Sequence, residues 1–80
     1  MKTDAEIFRD NVKRICKEKH LKMGYIDLEA GYSEKYVSQM AYKGSSITVE
    51  HIRNYARVLG VKPGRLIEGM FDEEDAQIFR

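Results

Sequence analysis

Eighty residues suffice for one domain and are too few for two, and a chain this short buries only about 60% of the surface that its unfolded state exposes. Its composition, 42% apolar and 34% charged residues with a single proline, is typical of a compact helical protein rather than a disordered one. No apolar run approaches the roughly 20 residues that span a bilayer, and the charged N-terminus does not resemble a secretory signal. We therefore expect a cytoplasmic protein with no membrane partner.

Charge is unevenly distributed along the chain. Residues 1 to 71 carry 13 basic and 9 acidic side chains, whereas residues 72 to 80 carry one basic and four acidic side chains. The sequence thus predicts a mildly basic body followed by an acidic tail. Its one cysteine, Cys16, has no internal disulfide partner, so it is either a buried thiol or an intermolecular link, and the usual burial of free cysteine favours the former.

The first predicted helix is long and amphipathic. Thr3 and Glu6 have the spacing of a capping box at its start, and it should end near Lys19 or His20. Its apolar face comprises Phe8, Val12, Ile15 and Cys16.

Two short helices should follow. The second is expected over about 23 to 29, with Gly31 in a left-handed cap conformation after it. Ser33 is predicted to cap the third helix, 34 to 42, which would turn Val37 and Met40 inward and end at Gly44.

Thr48 is a suitable cap for a fourth helix, which should end at Gly60. The inward face of this helix would consist of Ile52, Tyr55, Ala56 and Leu59. Pro63 should begin a fifth, short helix that continues to about Gly69. We expect one domain over residues 1–69, followed by a tail, 70–80, that extends the last helix, makes a dimer contact or stays disordered.

The pair of short helices at about 23–42, joined by a glycine-containing turn, has the helix-turn-helix pattern. Here the sequence resembles the lambda-repressor-like (XRE or Cro/CI) family of DNA-binding domains, over about residues 8 to 69. The matching features are Ala30-Gly31 at the turn, Ser33, Val37-Ser38, Gly44, and the segment ITVEHIRNYARVLGVKPGRLIEG. The resemblance implies an all-α, five-helix domain whose third helix lies in the major groove of double-stranded DNA.

Four side chains of the third helix would then face base edges. Gln39 can bind an adenine edge through two hydrogen bonds, Lys35 can reach guanine acceptors or a phosphate, and Ser38 can bond either kind of base. Glu34 can accept from cytosine or simply complement the helix N-terminus. For each of these residues the alternative is a solvated helix face.

Other positions would contact the DNA backbone, as the resemblance implies. They are Ser33, Tyr42, Lys43, Ser45 and Ser46. Many family members begin the second helix with a glutamine that fixes a phosphate, whereas this chain has Met23-Gly24. A backbone N–H at Gly24 could still hold that phosphate.

Two further departures from the family concern the pair Cys16 and Ala41, and Asp27. Cys16 and Ala41 stand where many relatives carry an arginine and a glutamate that pair, so we expect these two small residues to lie in or near contact. Asp27 stands where the family often has alanine, and it either bonds the start of the third helix or is solvated.

Other functions have weaker support from the sequence. Cys16 and His20 have an i, i+4 spacing that can bind a metal, but His51 lies on another helix and no second pair accompanies them, so no metal or cofactor is expected. No phosphate-binding loop or activated nucleophile is apparent, and we expect neither an enzyme nor a small-molecule substrate.

The serious rival is a protein-interaction module of the same fold, antitoxin or antirepressor-like, because the net charge is low and Glu34 and the tail are acidic. We favour a sequence-specific DNA-binding regulator, such as a phage, plasmid or mobile-element repressor in bacteria, that binds a two-fold symmetric operator as a homodimer. Apolar candidates for the dimer interface are Leu66, Ile67, Met70, Phe71, Ile78 and Phe79, although core packing is preferred for the first two.

Overall fold

The computed structural model describes residues 1–71, which form four α-helices and one 3-10 helix. The α-helices are α1 (Asp4–Glu18), α2 (Met23–Glu29), α3 (Tyr36–Lys43) and α4 (Val49–Leu59), and the 3-10 helix is Pro63–Leu66. The described part of the chain contains no strand. This confirms the all-α class. None of its helices is long and apolar enough to cross a membrane.

Helix α1 begins at the predicted capping box. The Glu6 N–H donates to the Thr3 hydroxyl at 3.1 Å, and the Thr3 N–H donates to the Glu6 carboxylate at 2.9 Å. Because a hydrogen bond to the carboxylate is stronger when that group is ionised, the backbone and side chain of Thr3 hold the pKa of Glu6 below its usual value. The helix ends at Glu18, and His20 just beyond it adopts a left-handed conformation with φ of 58°.

The core lies between α1 and the other elements. Eight of its side chains are at most 1% exposed, namely Ala5, Phe8, Val12, Ile15, Ile26, Val37, Tyr55 and Leu66. The Phe8 and Tyr55 rings meet edge to face, with their centroids 5.4 Å apart. Each of the five helical elements therefore contributes at least one fully buried side chain to a common core, which fixes α3 against the rest of the domain.

Cys16 is buried in this core, and burial raises the pKa of its thiol to about 11. The prediction of a buried thiol is confirmed. Ala41 is also buried, at 5% exposure, and α1 packs against α3. The direct contact between Cys16 and Ala41 stays a prediction.

The beginning and end of α4 also agree with the sequence analysis. The Thr48 hydroxyl accepts from the His51 N–H at 3.1 Å, and Gly60 follows the helix in a left-handed conformation with φ of 70°. Tyr55, Ala56 and Leu59 are buried along its inner face.

The fifth helix begins at Pro63 as predicted, but it ends at Leu66, before the predicted end at about Gly69, and it is a single 3-10 turn. The carbonyl groups of Leu66 and Glu68 accept hydrogen bonds from the Asn11 side-chain amide at 2.8 and 2.9 Å. A buried amide on α1 therefore fixes this segment in a non-α path, and the chain leaves the helix after one turn.

The candidate interface residues at this end of the domain differ in exposure. Leu66 is fully buried, as preferred, Ile67 is partly buried, and Met70 is partly buried against the core. Phe71 is 56% exposed. Ile78 and Phe79, like most of the predicted tail, lie outside the described residues.

Candidate nucleic-acid interface

Helix α3 begins at Tyr36, two residues later than predicted, so the assignment of Ser33 as its N-cap is wrong. The Ser33 carbonyl instead accepts from the Tyr36 N–H at 3.1 Å and closes a turn. Glu34 lies in that turn, and Lys35 is the residue that precedes the helix.

The side chain of Asp27 on α2 takes over the capping role. Its two carboxylate oxygens accept from the Lys35 N–H at 3.0 Å and from the Val37 N–H at 3.3 Å. A third donor, the Tyr55 hydroxyl on α4, lies 2.5 Å from the oxygen that Val37 also contacts. Of the two alternatives for Asp27, the structure therefore has the one in which it bonds the start of the third helix.

Asp27 is fully buried, at 1% exposure, and these hydrogen bonds satisfy its carboxylate. Burial, followed by the hydrogen bond to Asp27, raises the pKa of Tyr55 far above its usual value. Tyr55 is therefore always a hydroxyl donor, and the three elements α2, α3 and α4 are tied together at one buried carboxylate.

Lys35 adopts a left-handed conformation, with φ of 69°. Residues other than glycine, asparagine and aspartate rarely adopt this backbone conformation, because their Cβ crowds the backbone. The hydrogen bond from its N–H to Asp27 holds the strained residue in place. The Lys35 side chain is exposed beside the first turn of α3.

One face of α3 is buried and the opposite face is polar and exposed. Val37, Met40 and Ala41 are in the core. The outward residues are Ser38, Gln39, Tyr42 and Lys43, of which Tyr42 is 92% exposed. These four form two i, i+4 pairs and so make one continuous surface over the length of the helix.

Two of the other predicted contact residues, Glu34 and Gly24, lie next to each other. The exposed Glu34 side chain lies against the start of α2, where its Oε1 would be 2.9 Å from a Cβ added to Gly24. Gly24 therefore gives Glu34 the space that it occupies, beside the backbone to which a phosphate contact is assigned in the sequence analysis. Ser45 is partly buried and Ser46 is exposed, in the loop between α3 and α4.

A notch of about 140 Å³ lies between α3 and the start of α4. Its lining residues are Tyr36, Gln39, Met40, Lys43, Ser45 and His51. Three of these, Gln39, Lys43 and Ser45, are predicted contact residues, whereas Tyr36 and His51 are additions from the structure.

Tyr36 and His51 belong to an ordered aromatic group. The Tyr36 ring stacks on that of Tyr32 with centroids 4.3 Å apart, and its hydroxyl lies 3.0 Å from His51 Nε2. Asn54 donates to the Tyr32 hydroxyl at 2.9 Å. The stacking on Tyr32 and the hydrogen bond with His51 fix the Tyr36 ring from two sides, so its hydroxyl has a defined position at the edge of the notch.

The sequence carries a signal for His51 that the sequence analysis did not use. The spacing from Thr48 to His51 is that of a capping box, with histidine in place of the usual glutamate or glutamine. No comparable local signal identifies Tyr36, because its partners lie in other elements.

Ion pairs are concentrated away from α3. Within residues 1–71 they join cations and carboxylates of the N-terminal region, α1 and the segment around the 3-10 helix. The residues involved are Lys2, Arg9, Asp10, Arg14, Glu18, Arg65 and Glu68. Neither Lys35 nor Lys43 forms an ion pair in this part of the chain, so both ammonium groups are available to an external anion.

The described residues contain no group of three or more histidine, cysteine, aspartate or glutamate side chains that could hold a metal ion. A scan against protein-family models matches none, and searches of curated proteins and of solved structures find no significant match to this chain.

Proposed function

We propose that this protein is a sequence-specific DNA-binding regulator of the lambda-repressor-like kind, in which α2 and α3 act as a helix-turn-helix and α3 enters the major groove. The observation that carries the proposal is the division of α3 into a buried face and an exposed face of hydrogen-bonding side chains. A helix of this kind, supported from behind by a core, matches the size of the major groove.

The chemistry of the exposed face supports base contacts. Gln39 carries both an amide donor and an amide acceptor, which suit the N6 and N7 edge of adenine. Ser38, one residue earlier, is short enough to allow close approach of the helix to the bases. The unpaired Lys35 can reach a guanine or a phosphate beside the first turn.

The end of α3 supports backbone contacts. Lys43 and the hydroxyl groups of Tyr42, Ser45 and Ser46 lie at or after the last turn of the helix. Amine and hydroxyl donors at such positions hold the protein in register on the duplex without specifying sequence. A single domain of this size makes few base contacts, so we propose that it binds a two-fold symmetric operator as a homodimer.

The experiment that tests the proposal is selection of bound sites from a random duplex library, at two salt concentrations, with wild type and the Gln39→Ala protein in parallel. We expect a two-fold motif from the wild type and a relaxed preference at one base position of each half-site from Gln39→Ala. Binding of the variant to the wild-type motif should weaken by about 1 to 3 kcal/mol.

Two lysine substitutions provide matched controls. Lys43→Ala should weaken binding to all sequences alike and reduce the slope of affinity against salt by about one. Lys62→Ala removes an exposed lysine just before the 3-10 helix, an element that makes no contact with α3, and it should leave binding unchanged. Recovery of no motif at low salt would refute the proposal.

A protein-interaction module is the second candidate, and one observation favours it. The outer face of α2 exposes Tyr25 and Leu28, at 56% and 55%, beyond what a solvated helix requires. In that case duplex selection would return no motif, and Leu28→Ser would abolish capture of a protein partner while Gln39→Ala would not.

A further inference from the structure

The direction of each hydrogen bond around His51 can be assigned. A backbone N–H only donates, so His51 Nδ1, which lies 3.1 Å from the Thr48 nitrogen, must be the acceptor of that bond and carries no proton. The ring proton is then on Nε2, and it is donated to the Tyr36 hydroxyl oxygen 3.0 Å away. Burial lowers the pKa of His51 despite the opposing charge of Glu50, which agrees with a neutral ring at neutral pH.

This assignment determines whether the Tyr36 hydroxyl can donate a hydrogen bond to a ligand. Its oxygen already accepts from His51, and its own proton is not donated to any group within residues 1–71. Because Tyr36 lines the notch, that proton is available to an acceptor placed there.

The other polar groups of the notch can also donate. Lys43 can only donate, the Ser45 hydroxyl can donate one hydrogen bond and the Gln39 amide can donate two, and both of the latter can also accept. Within residues 1–71 no carboxylate lines the notch, and the buried side chain of Met40 provides an apolar floor. A site with several donors, one cation and no anion suits an acceptor-rich anionic group.

We propose that this notch binds a phosphate of the DNA backbone, with the Tyr36 hydroxyl as a donor to one of its non-bridging oxygens and His51 as the residue that positions this hydroxyl. The inference rests on the proposed DNA binding and adds Tyr36 to the contact residues. Lys43 supplies the charge of the site, and Tyr36 supplies a directional hydrogen bond. The two contributions differ in their dependence on salt.

The first test measures binding of the Tyr36→Phe protein to duplex DNA over a range of salt concentrations. Removal of one hydrogen bond to a charged acceptor should weaken binding about tenfold on every sequence. The slope of affinity against salt should stay unchanged, because a neutral hydroxyl displaces no counterion, whereas Lys43→Ala should reduce that slope by about one.

Tyr32→Phe is the matched control. It removes the hydroxyl of the stacked ring, whose partner is Asn54 rather than a group of the notch, and it should leave affinity unchanged. Thermal unfolding of both variants shows whether either substitution acts through stability instead. If Tyr36→Phe binds as tightly as wild type, the inference is overturned while the proposed function stands. If the wild type binds no duplex, the proposed function fails.

A second test identifies the phosphate from relative penalties, which are unaffected by any uniform loss of affinity in the variant. Duplexes with a single methylphosphonate, which is neutral, are compared in binding to wild type and to Tyr36→Phe. At the phosphate held in the notch, the penalty of neutralisation should be about tenfold smaller for the variant than for wild type. Equal penalties at every position would overturn the inference.

The role of His51 is tested by a double-mutant cycle. His51→Gln keeps an acceptor for the Thr48 N–H but shortens the side chain that donates to Tyr36. If His51 acts through the Tyr36 hydroxyl, His51→Gln should weaken DNA binding in the wild-type background and have no further effect when combined with Tyr36→Phe. Equal effects in both backgrounds would assign His51 a contact of its own and overturn its positioning role.

Discussion

The substitution Asp27→Ala tests how much one buried carboxylate stabilises the fold. It removes the acceptor of three donors at once, which are the backbone N–H groups of Lys35 and Val37 and the hydroxyl of Tyr55. Val37 and Tyr55 are fully buried, so water cannot replace the lost acceptor for these two donors. The Lys35 N–H lies nearer the surface and can be hydrated.

The magnitude follows from these environments. A buried donor left without an acceptor costs about 1 to 3 kcal/mol, and two such donors give about 2 to 6 kcal/mol. Relief of the cost of burying a carboxylate offsets part of this loss. We therefore expect the free energy of unfolding to fall by about 3 kcal/mol, which for a domain of this size lowers Tm by about 12 to 24 °C.

Thermal and urea unfolding, followed by far-UV circular dichroism, measure both quantities. Tyr55→Phe is the matched variant, because it removes one of the three donors and leaves the two at the start of α3, and its loss should be about 1 kcal/mol. Combined with Asp27→Ala it should cost less than the sum of the single losses. An Asp27→Ala protein with an unchanged or higher Tm would refute the reasoning, since it would mean that desolvation of the carboxylate cancels its hydrogen bonds.

Two further predictions concern the starts of α3 and α4. In urea unfolding, Lys35→Gly should be more stable than Lys35→Ala by about 1 kcal/mol, because only glycine adopts the left-handed conformation there without strain. Equal stabilities of the two variants would contradict that account. Because the pKa of His51 is lowered in the folded protein, the unfolded chain takes up a proton more readily than the folded one. The contribution of neutral His51 to the free energy of unfolding is therefore complete above pH 6.5 and is lost as the pH falls through the lowered pKa. Unfolding at pH about 7 and about 5 should show this loss in wild type, and His51→Gln, which has no titrating ring, should lose less stability over the same interval.

The sequence predicted those features of the fold that depend on neighbouring residues. The capping box of Thr3, the cap of Thr48, and the glycines that end α3 and α4 are each determined within one turn of the chain. The two errors have non-local causes. The start of α3 depends on Asp27, eight residues before Lys35, and the 3-10 turn depends on Asn11, 55 residues before Leu66.

The candidate site likewise has one part that the sequence predicts and one part that depends on tertiary packing. The exposure of Ser38, Gln39 and Lys43 follows from helical periodicity alone, so the outward face of α3 could be predicted. The notch could not, because it requires the position of α4 relative to α3 and the ring orientations of Tyr36 and His51. The contact of Glu34 with Gly24 is likewise a product of tertiary packing.

The supports of α3 are concentrated at its start. Asp27 on α2 holds the Lys35 and Val37 N–H groups, and His51 on α4 holds the Tyr36 hydroxyl, so the first turn is fixed from two sides. The last turn ends in Gly44 and leads into a partly exposed loop. Base contacts require fixed geometry, whereas a phosphate contact through a lysine tolerates movement. If α3 binds DNA, sequence discrimination should therefore come from the first turns of the helix, and the far end should contribute affinity.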